Sequence, residues 1–296
     1  MKGGLRRRSL VFLAVGVLSL PGIQPGEALA EAERPLILRE GETPPARVVS
    51  VNLCTDQLAM LLAAPGQLIS VSTLAVDPLV SSMAAEAAEY PANYGSAEQV
   101  FLLQPDLVLA GTYGARATSD LLRGLGVEVV EIAPVNSLEG ISAQIRDVAR
   151  ALGREAEGEA LVAEFEAGLA LARSPLAPRP AAVYYANGYT TGRGTLADEV
   201  LQAGGFTNIG VEAGITGGGT LPLERLIMAD PEIIVTSTPY PGASRSEEIL
   251  SHPALQALRE NAGVVASTDA DWVCGTPHLL RAVLALKEAR AGLERQ

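Results

Sequence analysis

An α/β fold of two Rossmann-like lobes with parallel-type sheets, joined by one long rigid helix and with a ligand cleft between the lobes, is predicted by three features of the sequence. The first is Gly153–Ser174, GREAEGEALVAEFEAGLALARS, in which Leu161, Val162, Phe165, Leu169 and Leu171 recur at roughly helical spacing among strong helix formers. The second is the SPLAPRP run at 174–180, whose three prolines forbid helix continuation and fit an extended linker. The third is the grammar on either side, where short aliphatic runs alternate with helical patterns, as crossovers between parallel strands require. The implied organisation is a leader at 1–30, an N-terminal lobe at 31–152, the linking helix at 153–174 and a C-terminal lobe at 175–296.

In chain order, Val48–Leu53 reads as a strand, and Cys54-Thr55-Asp56 opens a helix that runs through Ala64, with Thr55 or Asp56 as N-cap. Leu68–Thr73 is a second strand and Pro91–Gly95 a turn rich in breakers. Ser96–Leu103 is a short helix, Leu107–Ala110 a buried strand, Leu121–Leu125 helical, Val127–Ile132 a strand and Leu138–Leu152 a helix. The second half repeats the scheme. Ala181–Tyr185 is a strand, Asn187–Gly194 a loop, Leu196–Ala203 a helix and Gly214–Gly219 a flexible glycine run. Leu223–Met228 is a short helix, Ile233–Thr236 a strand, and Ser246–Leu258 helical around a proline. Val264–Val265 is a brief strand, Trp272–Pro277 a loop and His278–Leu293 the terminal helix.

The first thirty residues have another character. Lys2 and Arg6–Arg8 form a basic start, Leu10–Leu20 an apolar run too short for an ordinary membrane span, and Ala28-Leu29-Ala30 a small-residue end. This predicts a cleaved secretory signal peptide and a protein exported to the periplasm, without a lipid anchor because no cysteine sits near the cleavage site. Cleavage removes four basic residues and one acidic one, taking the formal charge from −12 to −15 and leaving Lys287 as the only lysine. So acidic a chain offers no basic patch to a phosphate backbone, which argues against nucleic acid and against an anionic membrane surface. Two histidines, His252 and His278, give little imidazole for a bare zinc or manganese ion. No resident cofactor is implied.

An internal echo carries the most information. SAEQVFLLQPDLVL at 96–109 and PLERLIMADPEIIV at 222–235 each place a glutamate seven positions before a proline, and follow that proline with an acid and three aliphatics. Each unit reads as a short helix, a proline stop and a buried strand. Glu98 and Glu224 thus occupy matched first-turn positions, where the helix dipole favours a carboxylate. Two such acids at equivalent places in paired lobes also form a two-point acidic docking surface.

The echo, the linking helix and the leader together resemble a substrate-binding protein of a bacterial ABC importer. The narrower resemblance is to the helix-linked class that binds vitamin B12, ferric siderophores and haem, and the terminal stretch TDADWVCGTPHLLRAVLAL belongs to the match. The resemblance implies that Glu98 and Glu224 pair with arginines on the two permease subunits, that the lobes move little, and that a bulky metal chelate, itself carrying cobalt or iron, is the ligand. The partners implied are the permease dimer and that chelate, with the binding protein monomeric. Ligand contacts are expected from loops at the carboxyl ends of the strands: Cys54, Thr55 and Asp56; Tyr94; Tyr113; Tyr189 and Arg193; and Trp272, Cys274 and His278. Aromatic faces with a polar edge suit a large, flat macrocycle. Cys54 and Cys274 either form a disulfide between the lobes or face the ligand as thiols. The scarcity of cleft cations, with Arg116 and Arg193 the only evident loop arginines, favours a corrinoid over an anionic ferric siderophore, while Tyr94, Tyr189 or His278 keeps haem open as an axial ligand. An exported Cys/His enzyme is the competing class, since a thiol near His278 has the parts of a nucleophile and base.

Overall fold

Short aliphatic runs that must be buried on both faces dictate where the sheets form. In the computed structural model, which describes residues 43–114, 116–237, 242, 244–266 and 269–295, the N-terminal half builds β1 (Val48–Ser50), α1 (Leu53–Leu62), β2 (Leu68–Ser72), α2 (Ala84–Ala87), β3 (Ala92–Asn93), α3 (Ala97–Leu102), β4 (Leu107–Gly111), α4 (Arg116–Gly124) and β5 (Glu128–Ile132). These strands form one sheet in the order β3-β2-β1-β4-β5, every pair parallel. Val48, Val49, Val108, Leu109 and Ala110 are fully buried, as continuous apolar strands of a covered parallel sheet should be.

Two helices follow, α5 (Leu138–Leu152) and α6 (Glu155–Ala172). The C-terminal half then adds β6 (Arg179–Val183), β7 (Tyr189–Thr191), α7 (Leu196–Gly204), β8 (Phe206–Asn208), α8 (Ile209–Glu212), β9 (Gly218–Thr220), α9 (Leu223–Ala229), β10 (Ile233–Thr236), α10 (Pro253–Asn261), β11 (Gly263–Ala266), α11 (Asp269–Val273) and α12 (Leu280–Leu293). Strands β11-β10-β6-β8 form a second parallel sheet, and β7 pairs antiparallel with β9. The predicted signal peptide and the start of the predicted N-terminal lobe, residues 1–42, lie outside the described residues.

Several expectations are corrected. The Pro91–Gly95 turn contains β3, an edge strand held by pairing with β2. The flexible glycine run ends in β9, ordered by β7. Trp272 and Val273 belong to α11 rather than to a loop, and the terminal helix begins at Leu280 after a 3-10 turn at Pro277–Leu279. In the linking helix Leu171 is exposed; the buried stripe is Gly158, Val162, Phe165 and Ala172, with Leu161 and Leu169 half-buried beside it.

Helix α6 is the joint between the halves. A Cβ added to Gly158 would meet the Ala149 Cβ of α5 at 2.4 Å, and one added to Gly168 would meet Leu280 Cδ1 of α12 at 2.7 Å. These glycines let α6 sink between its neighbours, so one continuous core contains Leu109 and Val130 from the first sheet, Val183 and Val235 from the second, and Ile145, Phe165 and Leu286 from the helices. The described residues of both halves accordingly fall in one compact unit. Helix propensity alone favours alanine over glycine by about 1 kcal/mol. Gly158→Ala is nevertheless expected to destabilise the protein, by about 1–3 kcal/mol in urea unfolding, because overpacking against Ala149 outweighs propensity. A gain in stability would contradict the close approach.

Candidate functional site

In a parallel sheet the strands all end at one edge, and the residues that follow them gather there. The first sheet delivers Asn52 after β1, Leu74 and Val76 after β2, Tyr94 after β3, Tyr113 after β4 and Val135 after β5. Tyr94, Tyr113, Leu74, Val76 and nearby Leu79 are exposed apolar surface. The second half adds Tyr189 on β7 and, two residues beyond that strand and bridged to Thr216, Arg193, both exposed. The Tyr189 ring lies across the backbone of Gly218, where a Cβ would come within 2.1 Å of the phenol oxygen.

Contacts that cross between the halves come from these same edges. Cys54, at the start of α1, is disulfide-bonded to Cys274, just after α11, with their Cα atoms 5.2 Å apart. Thr276 Oγ1 donates to the buried Gln57 Oε1 at 3.3 Å. Ser82 Oγ lies 2.9 Å from both Ala270 O and Asp271 Oδ1, and Leu138 N donates to Glu199 Oε2 at 2.7 Å. Gly275 packs on Val135 with no room for a side chain. The carboxyl edge of the first sheet therefore abuts the segment that follows β11 and the start of α7.

Local hydrogen bonds position the exposed tyrosines. The Nδ2 of buried Asn93 lies 2.9 Å from each of three acceptors, Ser50 O, Ser70 Oγ and Val71 O, which share its two hydrogens, and its Oδ1 accepts from Gly95 N at 3.0 Å. Tyr94 N donates to Gln99 Oε1 at 2.8 Å, while Ser96 Oγ caps α3 by accepting from Gln99 N. In the other half Tyr189 pairs with Thr220, and Thr190 Oγ1 donates to Val183 O at 2.6 Å. These links were not anticipated; the S-x-x-Q run at 96–99 was the legible signal for one of them.

Several predicted contacts are occupied by the fold itself. Thr55 is buried, its Oγ1 bonded to Asn52 O and to Ser50 Oγ. The cap of α1 is Asn52, whose Oδ1 accepts from Cys54 N and Thr55 N, in place of the expected Thr55 or Asp56. Asp56 is also buried, accepting from Ser72 N at 3.1 Å and Ser72 Oγ at 2.5 Å. Burial pushes its pKa up to about 6, against the opposing hydrogen bonds from Ser50 and Ser72. Cys274 is buried and Trp272 half-buried against the core. With Cys54 and Cys274 joined, the alternative of two ligand-facing thiols is overturned, and the competing enzyme reading loses its nucleophile. His278 is half-buried. Burial and then the nearby Arg281 depress its pKa, and Nδ1 lies 3.3 Å from Arg281 Nη1. Arg281 in turn forks onto Asp271, an ion pair beside the Ser82 contact that sequence reading missed.

Glu98 and Glu224 are exposed, each in the first turn of its helix. Both helices precede a parallel strand and run against it, so their N-termini lie at the carboxyl edges, on the side of the tyrosines. Neither glutamate takes part in an ion pair among the described residues. A cavity of about 250 Å³ is lined by Phe101, Leu102, Gln104, Pro105 and Val127; another, of about 340 Å³, is lined by residues of α5, α6 and α7 including Ser142, Glu166 and Arg173 and reaches the Leu138–Glu199 contact between the halves. No helix among the described residues is long and apolar enough to cross a membrane.

The sequence profile of the periplasmic binding protein family matches residues 48–263. A cobalamin-binding protein of Halobacterium salinarum is 26% identical over 201 residues, covering 66% of this chain and 54% of that protein. The chain thus spans about half the length of the curated relatives it matches. Among solved structures, an apo periplasmic haem-binding protein from a Roseiflexus species is similar at a TM-score of 0.67 and 26% identity, over 82% of this chain and 98% of that one. A periplasmic vitamin B12 binding protein of Vibrio cholerae is similar at 0.65 and 21%, over 86% and 99%, a likeness of fold.

Because Asp56 is harder to ionise in the folded chain than at its ordinary value of 3.8, its contribution to stability is complete below about pH 3.8 and is lost as pH rises through about 6. The stability of the wild type relative to Asp56→Asn should therefore fall by up to about 3 kcal/mol between pH 4 and 7 in denaturant titrations. A pH-independent difference would contradict the burial of an ionisable carboxyl there.

Proposed function

The chain belongs to the periplasmic binding protein family, and on that premise we propose that it captures a bulky metal-chelate nutrient between its two lobes and delivers it to an ABC permease. A corrinoid is the ligand favoured. The observation that carries this reading is the set of exposed tyrosines at the sheet edges, Tyr94 and Tyr113 from one half and Tyr189 from the other, with exposed apolar Leu74 and Val76 beside them and Arg193 as the nearby cation. Aromatic and aliphatic faces with few charges match a large macrocycle bound through surface contact and hydrogen bonds. The name of the Halobacterium salinarum relative supports the corrinoid. The proposed contact set keeps Tyr94, Tyr113, Tyr189, Arg193 and the accessible part of Trp272, and gives up Thr55, Asp56 and Cys274, which have little surface to offer.

Haem is the second reading, favoured by the exposed phenols, which are competent axial ligands, and by the haem-binding structure at 26% identity. In this account the protein works as an exported monomer, and Glu98 and Glu224 dock it on the two permease subunits through charge-assisted pairs.

Titration of the purified protein with cyanocobalamin, haemin and a ferric hydroxamate, followed by visible absorption and calorimetry, separates the ligands. Saturable binding of cyanocobalamin, at least about tenfold tighter than the other two, is expected. Saturable haemin binding that is lost in a Tyr94→Phe or Tyr189→Phe variant, without corrinoid binding, would transfer the assignment to haem. Glu98→Arg combined with Glu224→Arg should abolish uptake in cells while leaving ligand affinity within about twofold of wild type. Unchanged uptake would remove the docking assignment.

A further inference from the structure

The two echoed units agree in three dimensions beyond their glutamates. In α3, Ala97 and Val100 are buried; in α9 the corresponding Leu223 and Leu226 are buried. Three and four residues after Glu98 come Phe101 and Leu102, 42% and 73% exposed. Three and four residues after Glu224 come Ile227 and Met228, 38% and 85% exposed. Side chains at these spacings lie on the same helical face as the acid. Each unit then turns at a left-handed residue, Gln104 with φ 51° and Asp230 with φ 45°, immediately before its proline. Scattered exposed leucines are ordinary, but four large apolar side chains at matched positions of two equivalent helices, each pair beside an acid that forms no ion pair among the described residues, are not scatter. In the first half the cavity of about 250 Å³ opens against Phe101 and Leu102, with room for an apolar side chain.

We propose that each docking point is a composite face, acid followed by an apolar pair, and that its occupant is the permease dimer. Each permease subunit would present a cation next to an apolar side chain. This rests on the docking reading proposed above and deepens it. A partner that binds the carboxylates alone would leave the four apolar side chains wet, whereas a protein surface buries them. The doubling calls for a partner with two-fold symmetry. Two copies of this chain would bring acid against acid at a net charge of −12, and an anionic lipid surface would repel the same acids.

The test is binding of the protein, with cyanocobalamin present, to its permease in nanodiscs, at low and high salt, for Leu102→Ser with Met228→Ser and, separately, for Glu98→Gln with Glu224→Gln. Both pairs are exposed, and wild-type urea unfolding reports that the variants are folded. The Leu102/Met228 variant should bind about tenfold more weakly or worse, by a similar factor at both salt concentrations, while the glutamate variant should lose more at low salt than at high. Wild-type docking by the Leu102/Met228 variant overturns the composite face; if the glutamate variant is weakened in that experiment, the docking reading itself stands. If neither variant is weakened, the docking reading fails as well. A wild-type dimer in sedimentation that the Leu102/Met228 substitutions dissolve, with permease binding unchanged, assigns the faces to a second copy and also overturns the proposal.

Discussion

The structure depends on holding the carboxyl edges of two separate parallel sheets against each other. One part of the hold is a packed layer of helices, α5, α6 and α12, whose residues share a single core with both sheets. The other is the seam itself, where the Cys54–Cys274 disulfide, the Gln57–Thr276 contact and the Ser82–Asp271 contact tie α1 and the segment after β2 to the region that follows β11. The disulfide spans a sequence separation of 220 residues. In the chain-entropy model closure of so long a loop contributes roughly 5 kcal/mol, an upper figure since measured values fall short of it. With helices along the joint and a covalent tie at the seam, wide opening of the lobes is opposed, in keeping with the small motions that the sequence resemblance implies.

That rigid frame gives the edges a second property. Tyr94 is bonded through its backbone to Gln99 of α3, the helix that carries Glu98. Tyr189 pairs with Thr220, which stands four residues before Glu224 of α9. In each half, then, an exposed aromatic is joined to the acidic helix by a few bonds of fixed geometry. The same internal duplication that repeats the helix, turn and strand also repeats this adjacency.

Legibility in the sequence followed range. Helix α5, with its Ser137 cap and a left-handed glycine at its end, is written locally and was read to its boundaries; the buried strands β4 and β10 are aliphatic runs flanked by proline and were read as well. The strands β3, β7 and β9 depend on partners elsewhere and were read as turn, loop or flexible run. Asp56 looked like a cleft residue because it follows a strand, but the helical turn it sits in aims it at Ser72, sixteen residues on. Whether Cys54 and Cys274 were bonded could not be decided from spacing, since only the packing of the two halves brings them together. The matched first-turn placement of Glu98 and Glu224 is legible because a repeat marks equivalent positions without any knowledge of distance.

The central claim is that a ligand is held where the two carboxyl edges meet, and a crystal structure of the protein with its bound chelate tests it most directly. The account predicts a ligand touching Tyr94 or Tyr113 from the first half and Tyr189 from the second, with the Cys54–Cys274 bond intact. A ligand that touches none of these tyrosines, for instance one seated in the cavity beside Ser142, Glu166 and Arg173, would contradict it.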